Sequence, residues 1–379
     1  MRTVTLGDVM VSRGGSLSPS QFPTEEFELY SIPAHDRGGP EVVLGAEVSS
    51  NKQVVEPGDV LVAKIIPHIR RARIVGPMNS RRQVASGEWI ILRGETFDPG
   101  YLRHYLISDT FHRQFMNTVA GVGGSLVRAR PAHVKSIPVP LPPLDEQRRI
   151  AAILDHADAL CAKRRQVLAH LDDLAESVFQ VVLGGHQWAA KLEEIAQVQI
   201  GPFGSLLHRE DYVEGGVAVL NPMHIIDGNL APDPAFSVSH HKAKSLQRYT
   251  LQEGDVLLGR RGEMGRAGVV GAEVAGAICG TGSLVLKPKD VATEFLHAIV
   301  TSPRMKRHLE REALGTTLPN LNATIVAAAP VPVVPMPVQA RFVETLGRVG
   351  ATKLENRLAA QAGDELFASL QSRAFKGEL

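Results

Sequence analysis

The stretch Pro140-Leu141-Pro142-Pro143-Leu144-Asp145-Glu146-Gln147-Arg148-Arg149-Ile150 occurs a second time, degraded, as Pro332-Val333-Val334-Pro335-Met336-Pro337-Val338-Gln339-Ala340-Arg341-Phe342. Each copy launches a long helical pattern. Placing Gly123 on Gly315 sets a shift of 315 − 123 = 192. That shift pairs Ser125 with Thr317, Pro138-Val139-Pro140 with Pro330-Val331-Pro332, Gln147 with Gln339, and Leu174 with Leu366. Upstream, with insertions, Glu56-Pro57-Gly58-Asp59-Val60-Leu61-Val62 matches Gln252-Glu253-Gly254-Asp255-Val256-Leu257-Leu258. The period is far longer than that of a solenoid repeat, so the chain is a domain duplication.

Before each proline block the sequence reads as mixed and mostly β. Short apolar runs (Val60–Ile66, Trp89–Leu92, Val256–Leu258, Ser283–Leu286) lie between glycines and prolines. One helix per half is expected, at Tyr101–Asn117 and Glu294–Glu312. After the block the period changes. Ile150, Ile153, Ala157, Leu160, Val167, Leu171, Leu174, Val178 and Val181 step by threes and fours, or by seven across the polar Arg164, and form a heptad seam. Asp145 and Glu146 suit the start of that helix and Gly184-Gly185 its stop. Roughly forty residues at about 1.5 Å each make a rod about 60 Å long. The second rod carries Gly347, Gly350 and Gly363, each costing about 1 kcal/mol relative to Ala. It is expected to lie antiparallel against the first. Ile150, Ile153, Leu160, Leu171, Leu174, Leu366 and Leu370 are the expected helix or partner interface.

Composition sets limits. The 379 residues suffice for two cores, and 41 Lys plus Arg against 40 Asp plus Glu advertise no polyanion partner, so a nucleic-acid face must be a local patch. Cys161 and Cys279 have neither disulfide nor metal spacing and read as packing residues. Met1 to Gly15 lacks a signal-peptide layout, and the apolar run Ala323–Val338 is too short to span a bilayer and holds four prolines. A cytoplasmic chain without membrane contact is expected.

Enzyme signatures are weak. Asn221-Pro222-Met223-His224 lacks the second proline and the aromatic residue of an amino-methyltransferase motif. Gly121-Val122-Gly123-Gly124 does not sit inside a strand–turn–helix unit. His240-His241 has no further ligand at metal spacing and reads as a surface loop. No catalytic residue, metal or cofactor is expected in this chain.

Ile137-Pro138-Val139-Pro140-Leu141-Pro142-Pro143-Leu144-Asp145-Glu146-Gln147-Arg148-Arg149-Ile150 resembles the hallmark closing each target-recognition domain in specificity (S) subunits of type I restriction–modification systems. Gly58-Asp59-Val60-Leu61-Val62-Ala63-Lys64-Ile65, Gly315-Thr316-Thr317-Leu318-Pro319-Asn320-Leu321 and the ending Ser369–Leu379 are similarly characteristic, and the resemblance covers essentially the whole chain. It implies an α+β architecture: a mostly-β target-recognition domain over 1–143, a central helix over 144–185, a second mostly-β target-recognition domain over 186–335 and a C-terminal helix over 336–379. The two long helices would be antiparallel and coiled-coil-like, and the halves related by a pseudo-two-fold axis. The implied function is non-catalytic recognition of a bipartite double-stranded DNA target, one domain per half-site, with the helices setting the spacer. Two methyltransferase (M) subunits would dock on the helices, and restriction (R) subunits would join a full complex. S-adenosylmethionine and ATP would belong to those partners. The alternatives are a specificity subunit of a methylation-only or phage-exclusion system, or a coiled-coil adaptor that binds only protein.

The basic patches fit a DNA reader. Lys64, His68, Arg70, Arg71 and Arg73 follow the Gly58-Asp59 turn, with Arg81 and Arg82 beyond; Arg260, Arg261 and Arg266 hold the corresponding region of the second half. Arginine can bind two guanine acceptors or pair with phosphate, and the alternative is an ordinary solvated hairpin. Gly204 and Ser205, in the turn Gly201-Pro202-Phe203-Gly204-Ser205, and Ser125, Thr316 and Thr317 complete the candidate DNA contacts.

Overall fold

The computed structural model describes residues 2–11, 15–120, 127–183, 185–203, 206–313 and 320–379. The chain divides into two compact units, Met1–Val167 with Asn356–Leu379, and Leu168–Glu355. Each unit therefore takes part of both long helices, Leu144–Leu183 and Met336–Lys376.

In the first unit the strand Val60–Ala63 lies between Ala72–Ile74 and Trp89–Leu92. It is buried on both faces, which explains its unbroken apolar run. Val60 and Val62 face a core shared with helix residues Tyr101, Leu102 and Tyr105. Leu61 and Ala63 face the opposite cluster with Tyr30 and Trp89. A second, five-stranded sheet (Ser16–Leu17, Lys52–Val54, Arg82–Ala85, Glu26–Tyr30, Glu41–Leu44) completes the domain. The second unit repeats the plan. Val256–Gly259 runs between Ser283–Pro288 and Ala267–Val269, with Ala196–Ile200 added on the outer side of Ser283–Pro288. A separate four-stranded sheet accompanies it.

The single helix expected in each half is two. Pro99–Leu106 and Asp109–Met116 are separated at Ser108, and Thr293–Thr301 and Pro303–Glu312 at Ser302. Each serine hydroxyl donates back to the ending helix (Tyr105 O, 2.6 Å; Ile299 O, 2.7 Å) and accepts the N–H of Phe111 or Met305 at 3.2 Å. A serine that caps one helix while closing another breaks a periodic pattern without disturbing its apolar spacing. His240-His241, read as a loop, instead opens the short helix His240–Ser245 behind the cap Ser239.

Each proline block becomes a strand and then a helix. Arg2–Thr5 pairs antiparallel with Pro138–Leu141, and Ala190–Lys191 with Pro330–Val331. The glutamine of the block is buried in both copies. Gln147 Oε1 accepts the Asp98 N–H at 2.8 Å while Nε2 donates to Pro142 O at 2.8 Å. Gln339 does the same with the Ala292 N–H (3.0 Å) and Val334 O (2.7 Å). One side chain thus ties the loop before the domain's helices to the exit strand and to the first turn of the rod.

Within each unit the long helices run antiparallel. In the first, Arg149 reaches Leu379 O at 2.7 Å and Arg165 pairs with Asp364 at 3.0 Å. In the second, Lys353 pairs with Asp172 and the Phe179 and Phe342 rings lie 6.2 Å apart. The expected seam needs correction. Ile150 is buried, and Ile153, Leu171 and Leu370 are half-buried, but Leu160, Leu174 and Leu366 are 44%, 47% and 56% exposed. The inward stripe of the central helix is instead Ile150, Leu154, Cys161, Phe179 and Leu183. A Cβ added to Gly363 would sit 3.4 Å from Cys161 Sγ, so the close approach there depends on small residues rather than large aliphatic ones. No helix is long and apolar enough to cross a membrane, among the described residues.

Replacing Gln147 or Gln339 by Leu is expected to lower stability by about 1–3 kcal/mol per buried group left without a partner. Urea unfolding checks this; an unchanged midpoint would remove the glutamine from its structural role.

Candidate nucleic-acid interface

The strand that leads to the basic residues is anchored at its start. Gly58 and Gly254 adopt φ of +87° and +86°, a region open to glycine. The next residue, Asp59 or Asp255, is 1% or 4% exposed. Asp59 accepts the Glu56 N–H at 2.8 Å and is gripped twice by Arg93 at 2.7 Å; Asp255 accepts the Gln252 N–H at 2.9 Å and pairs with Lys287 at 3.0 Å. The aspartate is a lock for the turn and does not itself face a ligand.

At the other end of that strand, loops converge in the same way in both halves. Lys64 N–H donates to Glu88 O, and Lys64 O accepts from Ala129. Arg260 N–H donates to Gly282 O, and Arg260 O accepts from Leu321. Bridges Ile65–Arg128 and Arg261–Asn320 continue the match. In the second half Gly201 N–H also donates to Ser283 O, and a Cβ on Gly201 would lie 2.0 Å from Gly280 O. The backbone there cannot accept a side chain. The described flanks of segments 121–126, 204–205 and 314–319 therefore meet this end of their sheets. Ser125, Gly204, Ser205, Thr316 and Thr317 themselves lie outside the described residues.

The arginines are put to different uses. Arg71 is 8% exposed and makes a two-bond pair with Asp36 at 2.7 and 2.8 Å. It is a structural residue, turned inward, and the expectation of a DNA contact is corrected on that ground. Arg260 is likewise buried, with Nε on Asn320 Oδ1 at 3.0 Å; burial first, then the charge of Arg261, holds its pKa below the ordinary guanidinium value. Its side chain braces the loop end. Arg81 and Arg82 pair with Glu26 and Glu25, and Arg82 stacks over Phe22. They begin the strand Arg82–Ala85, whose other end leads through Ser86 to the Lys64 turn, so they stand apart from it. Arg70 pairs with Asp109, Arg73 donates to Gly38 O at 2.6 Å, and Arg266 pairs with Glu263 at 3.1 Å. These surface pairs are worth little, about 0–1 kcal/mol, and exchange readily for phosphate. Lys64, His68 and Arg261 carry no ion pair among the described residues. The convergence thus unites Lys64, His68 and Arg70 in one half, and Arg260, Arg261 and Arg266 in the other.

Sequence reading missed Arg128, paired twice with Glu88 at 3.1 Å, and Asn320. Both sit in the 192-residue register, as 128 and 320, so their position was legible although their role was not. Among the described residues no cluster of His, Cys, Asp and Glu could hold a metal ion.

The model of the type I restriction modification DNA specificity domain matches residues 1–170 and again 188–362. The chain belongs to that family. It is a sequence-specific DNA-recognition subunit, and the duplication is the family's domain in two copies. Solved structures share the fold of this specificity subunit. A chain from work on complex assembly and conformational transition of the type I R-M system aligns with a TM-score of 0.63 at 21% identity, covering 100% of this chain and 98% of that one. The type I restriction–modification S subunit from M. genitalium aligns at 0.58 and 13% identity, covering 99% and 96%. A comparison with curated proteins gave no match.

The specificity subunit's Asp36 carboxyl is held below its usual range by the hydrogen bond from Arg71. A lowered carboxylate pKa contributes stability above the unfolded value and loses it as pH falls through the folded one. Asp36→Asn is therefore expected to destabilise the first unit at neutral pH and to flatten the loss of stability below about pH 4. Arg71→Gln should destabilise in the same way; loss of DNA binding with an unchanged melting temperature would return Arg71 to the interface.

Proposed function

We propose that the specificity subunit reads a bipartite duplex, one half-site per domain, through the loop end that carries Lys64, His68 and Arg70 or Arg261 and Arg266. The observation that carries this reading is the repeated convergence: the same backbone hydrogen bonds hold the turn in both halves, while its side chains differ. A shared frame with different side chains is what two readers of different sequences require. Arg261, exposed and without an acidic partner among the described residues, is the best candidate for a base contact in the second half; Lys64 and His68 hold the equivalent place in the first.

The chain contributes recognition and geometry rather than catalysis. Methyltransferase subunits, carrying S-adenosylmethionine, would dock on the long helices. The exposed residues Leu160, Val167, Leu174 and Val181, spaced by seven along the central helix, offer them an apolar stripe. Restriction subunits, with ATP, would join a full complex. The long helices, which lie side by side within each unit with Arg165 on Asp364 in one and Lys353 on Asp172 in the other, would set the distance between half-sites.

Mapping methylated bases in cells that hold this chain and its methyltransferase partner tests both parts. Arg261→Gln is expected to relax one half-site and leave the other intact, and a paired change at Lys64 and His68 to do the reverse; relaxation of both together would sink the one-domain-per-half-site assignment. Removing seven residues from each long helix shortens the rods by about 10 Å. The unread spacer should contract by about three base pairs at 3.4 Å each, with both half-sites unchanged. An unaltered spacer would end the ruler idea.

A further inference from the structure

In each half an ion pair ties the basic turn to the second of the two short helices, with the charges reversed. In the first, Arg70 of the turn pairs with Asp109 of the helix Asp109–Met116. In the second, Glu263 of the turn pairs with Lys306 of the helix Pro303–Glu312, and also with Arg266. These helices are therefore continuous with the loop end proposed to meet DNA.

Both helices present an arginine at the same place, five residues after the capping serine: Arg113 after Ser108, and Arg307 after Ser302. Both are exposed, and neither has an acidic partner among the described residues. Arg113 folds back over its own helix, Nε donating to Asp109 O at 3.4 Å. There it helps to line a cleft of about 430 Å³ whose wall also holds Lys376, Ser372 and Gln371. Gln371 is 8% exposed and braced by a bond from Nε2 to His104 O at 3.2 Å.

The charge count at these places is unbalanced. Arg113 and Lys376 line a cleft whose one carboxylate, Asp109, is already engaged by Arg70. Beside the second helix Glu263 is already engaged by both Arg266 and Lys306, and the helix itself carries Arg304, Lys306, Arg307 and Arg311 against Glu310 and Glu312. In a chain of net charge +1 such local excess is not a general surface property. Like charges held together in one fold raise its energy unless an anion is added. Both halves, whose basic turns differ, keep at the same helix position a guanidinium without an acidic partner among the described residues. That pattern fits a ligand feature common to every sequence, the phosphate chain.

We infer that Arg113 and Arg307 are phosphate contacts, one per half, which position the duplex on its reading turn without reading a base, and that Lys376 and Ser372 extend the first contact onto the terminal helix. The inference rests on the DNA reading proposed above.

The test is equilibrium binding of the full chain, assembled with its methyltransferase subunits, to a duplex with its own target and to a scrambled duplex over a salt series. Arg113→Gln and Arg307→Gln are each expected to weaken both duplexes alike, about five- to tenfold at 0.1 M salt, and to reduce the slope of log affinity on log salt by about 0.9. The preference for the target stays unchanged, the melting temperature is unaltered, and Arg113→Lys restores the slope. An unchanged slope, or a preference that collapses while nonspecific affinity holds, would overturn the assignment. If the unsubstituted chain binds DNA without salt dependence or selectivity, the DNA reading fails first and this inference with it; that failure is visible before any variant is made.

Discussion

Everything in the two halves hangs on a buried amide. Gln147 and Gln339 each satisfy a backbone N–H at the entrance to the short helices and a carbonyl at the exit strand, from a position on the first turn of a long helix. A buried amide with both ends used fixes orientation, because any rotation of the helix strands two polar groups at once. The antiparallel strand pair beside it adds a second tether. The first turn of each long helix is thereby tied to the exit segment of the domain that precedes it.

At both ends of that strand, the halves solve one problem with different residues. Asp59 is matched by Arg93, and Asp255 by Lys287. The turn–helix link is Arg70–Asp109 in one half and Glu263–Lys306 in the other. Backbone geometry is kept while side-chain identities move. The two turns differ in their side chains, while the hydrogen bonds that frame Lys64 and Arg260 run between main-chain atoms.

Much of this was legible in the sequence. The repeat at 192, the doubly buried strands and the long helices follow from register and periodicity. Three matters did not. The short helices break at Ser108 and Ser302, because a serine cap leaves the apolar period intact. Leu160, Leu174 and Leu366 look like a seam because large apolar residues at heptad spacing carry no mark of burial, whereas Cys161 and Gly363 let the helices approach. Arg71 and Arg260 look like DNA ligands because a run of basic residues does not disclose which guanidinium meets a distant Asp36 or Asn320. Such pairings are tertiary, and one-dimensional patterns do not carry them.

The aromatic packing has a consequence for how such proteins can be recombined. In the first unit Tyr101 and Ile150 pack in the same core as Phe375, which comes from the terminal helix; in the second, Phe295 and Phe342 pack in the same core as Leu183, from the central one. Each core is completed by the helix that its own repeat did not supply, and the large residue has changed sides. Two copies of the first half would set Ile150 against Leu183 and leave a void, and two copies of the second would set Phe342 against Phe375 and crowd it, at about 1–3 kcal/mol either way. A head exchanged between chains must therefore travel with the tip of the other repeat's helix. The cut that keeps each core whole lies within the rods, not at the proline blocks.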